Sequence, residues 1–233
     1  MMLKSFLNLV LPPICPLCAQ YAEDERFCQR CFDSIKIIKN PICLCCGAPF
    51  ISEENEDHLC GICIKKRRPF SHARSIGIYE GVLLDAIHRF KYNGKTSLAK
   101  PLGRIMTDEF LANNYDLIVP VPLHKTRLTE RGFNQSLFLA REIATIYNLP
   151  IDYLNLKRIR PTDPQINLRG ADRIANVRGA FAVEKAAVFK DKKILLIDDV
   201  YTTGATVTEC SKILKKAGAK DVSILTLARV VNL

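Results

Sequence analysis

Residues 194–206 read ILLIDDVYTTGAT and fall into three parts. An apolar run comes first, then two adjacent carboxylates, Asp198 and Asp199, then a loop of small and hydroxyl-bearing residues around Gly204. Such a run ahead of a glycine turn reads as a buried strand that feeds a helix. Gly204 permits several backbone N–H groups to turn inward, Thr202, Thr203 and Thr206 add hydroxyl donors, and the positive end of the next helix favours an anion. The carboxylates can accept bonds from ribose hydroxyls or hold a Mg2+ shared with pyrophosphate. A sugar phosphate would satisfy both halves. The competing reading is an ordinary strand end followed by a capped helix, and the rest of the chain has to decide.

On either side, strand-like and helix-like segments alternate from residue 75 onward. SIGIY (75–79) predicts a strand, and Leu83, Ala86, Ile87 and Phe90 repeat at helical spacing after it. A second helix is expected from Leu98 to Ala112, and YDLIVPVP (115–122) reads as a buried strand that enters a loop. RGFNQ (131–135) is a glycine turn with Asn134 capping a helix whose apolar face is Leu137, Ala140, Ala144 and Tyr147. After the quoted run, Val207, Cys210, Leu214 and Ala217 share a helix face, which makes Cys210 a core residue, and a last strand follows. This alternation implies an α/β fold with a mostly parallel sheet flanked by helices, and ligands bind such sheets beyond the carboxyl ends of the strands. Two other segments are basic. His124, Lys125, Arg127 and Arg131 follow the YDLIVPVP strand. Residues 158–178 read as a long loop that is either a lid, with Arg169, Arg173 and Arg178 closing over a ligand, or a plain surface excursion.

The charge is uneven. The chain carries 34 basic and 24 acidic residues, net +10, and most of the excess lies beyond residue 70. That balance favours polyanionic partners such as phosphates or nucleic acid, although a solvated basic surface needs none. Nine of the ten cysteines precede residue 64. MMLKSFLNLVLPPIC (1–15) has no signal-peptide cleavage site and is too short to span a bilayer, though it suits a short amphipathic helix at a membrane or partner. The expectation is a reducing cytosol, where metal sites outrank disulfides.

The cysteines form four CxxC pairs, and two such hairpins complete a tetrahedral Zn(Cys)4. Paired in sequence, Cys15, Cys18, Cys28 and Cys31 make one Zn2+ site, and Cys43, Cys46, Cys60 and Cys63 the other. Cys45 is left as a spare that could replace a neighbour, and His58 is a weaker substitute. With no open ligand position, both metals would be structural, in a cysteine-rich unit spanning 1–66. KKRRPF (65–70) reads as a solvated hinge, with a nucleic-acid contact as the sharper alternative, leading into a second unit at 71–233.

VPVPLHKTRLTERGFNQS (119–136), PQINLRGADRIANVRGAF (164–181) and DDVYTTGAT (198–206), in this order behind a cysteine-rich head, resemble the competence protein F (ComF/ComFC) family. The last of them resembles the phosphoribosyl pyrophosphate (PRPP) signature of type I phosphoribosyltransferases. The resemblance implies that Asp198 and Asp199 contact the ribose hydroxyls and act as catalytic groups in any transfer. It implies that Val200, Tyr201, Thr202, Thr203, Gly204, Ala205 and Thr206 wrap the 5′-phosphate. The loop holding His124, Lys125, Arg127 and Arg131 corresponds to the pyrophosphate loop. Implied too are Mg2+ carried with PRPP, single-stranded DNA and a competence helicase as partners, and a cytoplasmic location, with a peripheral place at the inner face of the membrane as the alternative. The alternative within the family is an active phosphoribosyltransferase with an unknown acceptor. Glutamine-derived ammonia is not expected, since the N-terminal cysteine of glutaminases is missing and the head cysteines are committed to metal.

Overall fold

In the computed structural model, described over residues 12–22, 26–50, 56–92, 94–110, 114–162 and 170–231, the quoted run lies at the centre of the sheet. The strands are β1 (Ala73–Ile78), β2 (Leu117–Pro120), β3 (Leu156–Arg158), β4 (Phe181–Val183), β5 (Lys193–Tyr201) and β6 (Asp221–Arg229). The helices are α1 (Gln29–Asp33), α2 (Gly61–Lys65), α3 (Gly81–Tyr92), α4 (Ala99–Asp108), α5 (Lys125–Arg131), α6 (Gln135–Tyr147), α7 (Gly170–Val177) and α8 (Ala205–Lys216). The main sheet has the order β1-β6-β5-β2 and is parallel throughout, while β3 and β4 form a separate antiparallel pair. Parallel strands need crossovers, and the helices between them cover both faces.

The residues of β5 alternate between two cores. Leu195 and Ile197 face α3, α4 and α6, whereas Ile194 and Leu196 face α8 and the β3–β4 pair. Both faces are apolar because both are covered, which is why the run shows no period-2 pattern. In α6 the buried face is Leu139, Ala140, Ile143 and Ala144, with Leu137 and Tyr147 only half-buried at its margins. The expected face was therefore rotated. Gln135 and Ser136 are also buried: Ser136 reaches Asp198 at the carboxyl end of β5, and Gln135 accepts from Arg131.

The cysteine-rich head does not hang from a solvated hinge. Residues 36–38 add an antiparallel bridge to the free edge of β1: Ile38 N–H donates to Ile76 O at 2.8 Å, and Ile78 N–H to Lys36 O at 2.9 Å. The first cysteine group packs into the α3–α4–α6 core and the second into the α8 core, so the two straddle that edge. Lys65, Lys66 and Arg67 are exposed, as a solvated run should be, but Arg68 is half-buried and Phe70 fully buried. A head with few large apolar residues thus borrows the core of its neighbour. Residues 1–11, residues 163–169 with Arg169, and the side chain of Arg173 lie outside the described residues, so the N-terminal helix and two of the three arginines of the expected lid do too, while Arg178 is exposed. The rest of that segment is not simply a loop, since it contains α7. Among the described residues no helix is long and apolar enough to cross a membrane.

Candidate functional site

β5 carries Asp198 and Asp199 to the carboxyl edge of the sheet, where both are buried. Asp198 Oδ1 accepts from Ser136 Oγ at 2.9 Å and from the Asp199 N–H at 3.0 Å. Asp199 Oδ2 is ion-paired with Lys91 Nζ of α3 at 3.0 Å, and only 15% of the Lys91 side chain is exposed. Burial and the adjacent Asp199 charge push the Asp198 carboxyl up to about 7, against the opposing pull of Lys91 and its hydrogen bonds. Two acids held out of water with a single ammonium between them leave surplus negative charge, which suits a divalent cation or a set of sugar hydroxyls.

Past the acids, the loop closes on Gly204, whose φ of +73° caps α8 without a side-chain bond. A Cβ there would lie 2.2 Å from the Tyr201 hydroxyl oxygen, so glycine is required by both conformation and space. Thr203 Oγ1 accepts from the Ala205 N–H at 3.4 Å, and the first-turn amides of α8 open toward the loop. Thr202 and Thr206 are half-buried at its margin. Tyr201 is closed to a ligand: its side chain lies in the α8 core, 2% exposed, beside Gly204, and Val200 packs on the opposite core. For these two, only the backbone is left for a ligand.

The basic segment after β2 is not a loop. Its residues form α5, with His124 as N-cap, its Nδ1 accepting from the Thr126 N–H at 3.4 Å, and Gly132 at φ +81° closing the helix. Its only apolar side chain, Leu128, is 43% exposed, so no hydrophobic period could reveal it; the caps could. The cations diverge accordingly. His124 is buried and Lys125 exposed, Arg127 pairs with Glu130 at 3.0 Å, and Arg131 donates to Gln135 at 2.6 Å while covering the Tyr92 ring. Asn134 caps α6 as expected, accepting from the Ser136 N–H at 3.0 Å, which aims Ser136 at Asp198. Arg158, at the end of β3, lies within electrostatic reach of both Asp198 and Arg127. Sequence reasoning missed Lys91 and Ser136. Ser136 sits in the first turn of a predicted helix and was open to notice, but Lys91 follows Phe90 off the apolar stripe and carries no local signal.

The cysteine groups assemble as paired in sequence: Cys15, Cys18, Cys28 and Cys31 in one, Cys43, Cys46, Cys60 and Cys63 in the other, with the sulfurs of each group within 4.8 Å of one another. A tetrahedral Zn–S4 centre needs S···S separations of roughly 3.8 Å, and the groups fit that need. The Cys46 and Cys60 N–H groups donate to Cys43 Sγ at 3.4 and 3.3 Å. Burial pushes the Cys46 and Cys63 thiols up to about 12, whereas at Cys43 those N–H groups outweigh burial and hold the thiol down at about 6. Cys45 is not in the group; its carbonyl accepts from the Ala73 N–H at 2.7 Å and fastens the head to β1. His58 stacks on Phe50, ring centres 3.9 Å apart, and is not a ligand there.

Residues 6–65 match the double zinc ribbon domain and residues 134–231 the phosphoribosyl transferase domain. The molecule is thus a double zinc ribbon joined to a phosphoribosyltransferase-type α/β domain. Competence protein F of Haemophilus influenzae is 31% identical over 221 residues, 87% of this chain and 96% of that protein. Competence protein ComFC of Streptococcus pneumoniae is 31% identical over 89% of each chain, and the DNA utilization protein YhgH of Escherichia coli K12 is 30% identical over 96% of this chain and 100% of its own. The chain belongs to this competence protein F/ComFC/YhgH family. Among solved structures, the glutamine PRPP amidotransferase of B. subtilis is similar at 23% identity with a TM-score of 0.39, over 55% of this chain and 25% of that one.

Proposed function

We propose that the chain binds Mg2+–PRPP at the carboxyl end of β5 and serves DNA uptake or utilization by handling single-stranded DNA in the cytoplasm. The observation that carries the reading is the buried Asp198–Asp199 pair set directly before a glycine-closed helix N-terminus, hydroxyl acceptors beside an anion cradle. In this reading Asp198 and Asp199 hold the ribose, Ser136 orients Asp198, and residues 202–206 take the 5′-phosphate. Mg2+, when bound, would neutralise the pyrophosphate; Lys125, Arg127 and Arg131 of α5 are the available cations for the remaining charge. The eight clustered cysteines hold two structural zinc ions, and the ribbons at 1–66 and the α/β unit at 71–233 are the working division of the chain. The names of the relatives support the DNA role, as does the net charge of +10.

Calorimetry with PRPP and Mg2+ tests the binding half. Wild type is expected to bind, and Asp198→Asn/Asp199→Asn to bind on the order of 100-fold more weakly, since each ionised acceptor lost costs a charge-assisted bond. Equal affinities would overturn the assignment. Single-strand binding should fall steeply with salt and with charge reversal at the exposed Lys65, Lys66 and Arg67; no binding at low salt would remove the DNA half. Pyrophosphate release from PRPP with an added base or amine would mark the chain as a working transferase.

A further inference from the structure

The second cysteine group and the loop at 202–204 touch through two side chains. Arg229, the last residue of β6, pairs in register with Tyr201 at the end of β5. It is 8% exposed. Its Nη1 donates to the Cys46 carbonyl at 2.7 Å, and its Nη2 lies 3.8 Å from Cys46 Sγ. The same guanidinium covers the Tyr201 ring, 4.3 Å from its centre. The hydroxyl at the far end has no hydrogen-bond partner among the described residues, and the ring edge and hydroxyl together fill the space beside Gly204, where an added Cβ would lie 2.4 Å from Cζ and 2.2 Å from the hydroxyl oxygen. Arg68, half-buried, adds a second positive charge beside Cys63, Cys46 and Tyr201.

A Zn2+ with four thiolates carries a net charge of −2, and two guanidiniums balance it. Arg suits this place better than Lys because its flat fork can bond the carbonyl, meet the sulfur and stack on the ring at once. The contacts run without a gap from Cys46 through Arg229 and Tyr201 to Gly204. We propose that Arg229 and Tyr201 are positioning residues that make the shape of the phosphate loop depend on the integrity of the second zinc ribbon. The ligand part of this inference rests on the PRPP reading above; the mechanical part does not.

The test uses the full zinc-loaded chain and three readouts: zinc content with a chromogenic chelator, amide hydrogen exchange over residues 202–206, and calorimetry with ribose 5-phosphate as probe. Arg229→Gln is expected to keep both zinc ions, to speed loop exchange, and to weaken ribose 5-phosphate binding about tenfold, the loss of one stacked, desolvated cation. Cys60→Ser, which disturbs the group at a ligand Arg229 does not touch, should give the same loop signature. Tyr201→Phe should stay within about twofold of wild type, since the ring and not an O–H bond carries the contact, while Tyr201→Leu should resemble Arg229→Gln. If Arg229→Gln does not fold, Arg229→Lys decides by the same comparison, with charge kept and stacking lost. Loop exchange unchanged in both the Arg229 and Cys60 variants overturns the proposal. A wild-type chain that binds neither PRPP nor ribose 5-phosphate removes the ligand reading alone, and the exchange data still decide the coupling.

Discussion

Replacing Asp198 by Asn should stabilise the protein at pH 8 and leave it nearly unchanged at pH 4. Burial and the neighbouring Asp199 raise the Asp198 carboxyl from its ordinary 3.8 to about 7 in the folded chain. Between those values the native state keeps a proton that the unfolded chain releases, so the Asp198 contribution is full below pH 4 and is lost as pH rises through 7. The difference corresponds to at most roughly 4 kcal/mol. Asn keeps an oxygen at the Oδ1 position for Ser136 Oγ and the Asp199 N–H, but it does not titrate. Urea unfolding of both proteins from pH 4 to pH 8, compared as a difference curve, cancels the titrating groups remote from Asp198. The curve should climb with pH and flatten above about 7.5. Parallel wild-type and variant curves would refute the account of a strained acid. The same strain predicts that Mg2+–PRPP binding near pH 7 releases a proton from wild type and none from Asp198→Asn, seen as a buffer-dependent enthalpy.

Lys91→Met removes the partner of Asp199 at 3.0 Å and strands a buried carboxylate; at pH 8 the loss should be about 3–5 kcal/mol by denaturant melting. Asp199→Asn on top of it should recover most of that, and failure to do so would mean the pair is not coupled. Gly204→Ala must hold a side chain at φ +73° and displace the Tyr201 ring, at a combined cost of about 2–4 kcal/mol. PRPP affinity should fall with it, and an unchanged melting curve would show that the loop yields freely.

How much was readable in advance follows the range of each interaction. β5, the acids and the glycine turn are consecutive, so their order on the chain is their order in space. The Asn134 cap and the CxxC knuckles are likewise local, closed by atoms two or three residues apart. α5 escaped notice because it buries no side chain, so capping at His124 and Gly132 is the only mark it leaves. The face of α6 was rotated because its N-terminal residues are drawn toward the polar edge of the sheet, with Ser136 bonded to Asp198 62 positions away.

By itself the sequence determined the parallel α/β architecture, the grouping of eight cysteines and the place of the acid pair and loop. All of these rest on periodicity or on short spacing, which local chain geometry dictates. Only the tertiary structure decided that Lys91 neutralises Asp199, that the Tyr201 side chain packs into the α8 core against Gly204, and that the ribbons sit on opposite faces of the β1 edge. Arg229 meets Cys46 across 183 positions. Nothing local marks such a contact, because it exists only once the sheet has brought the two ends of the chain to one edge.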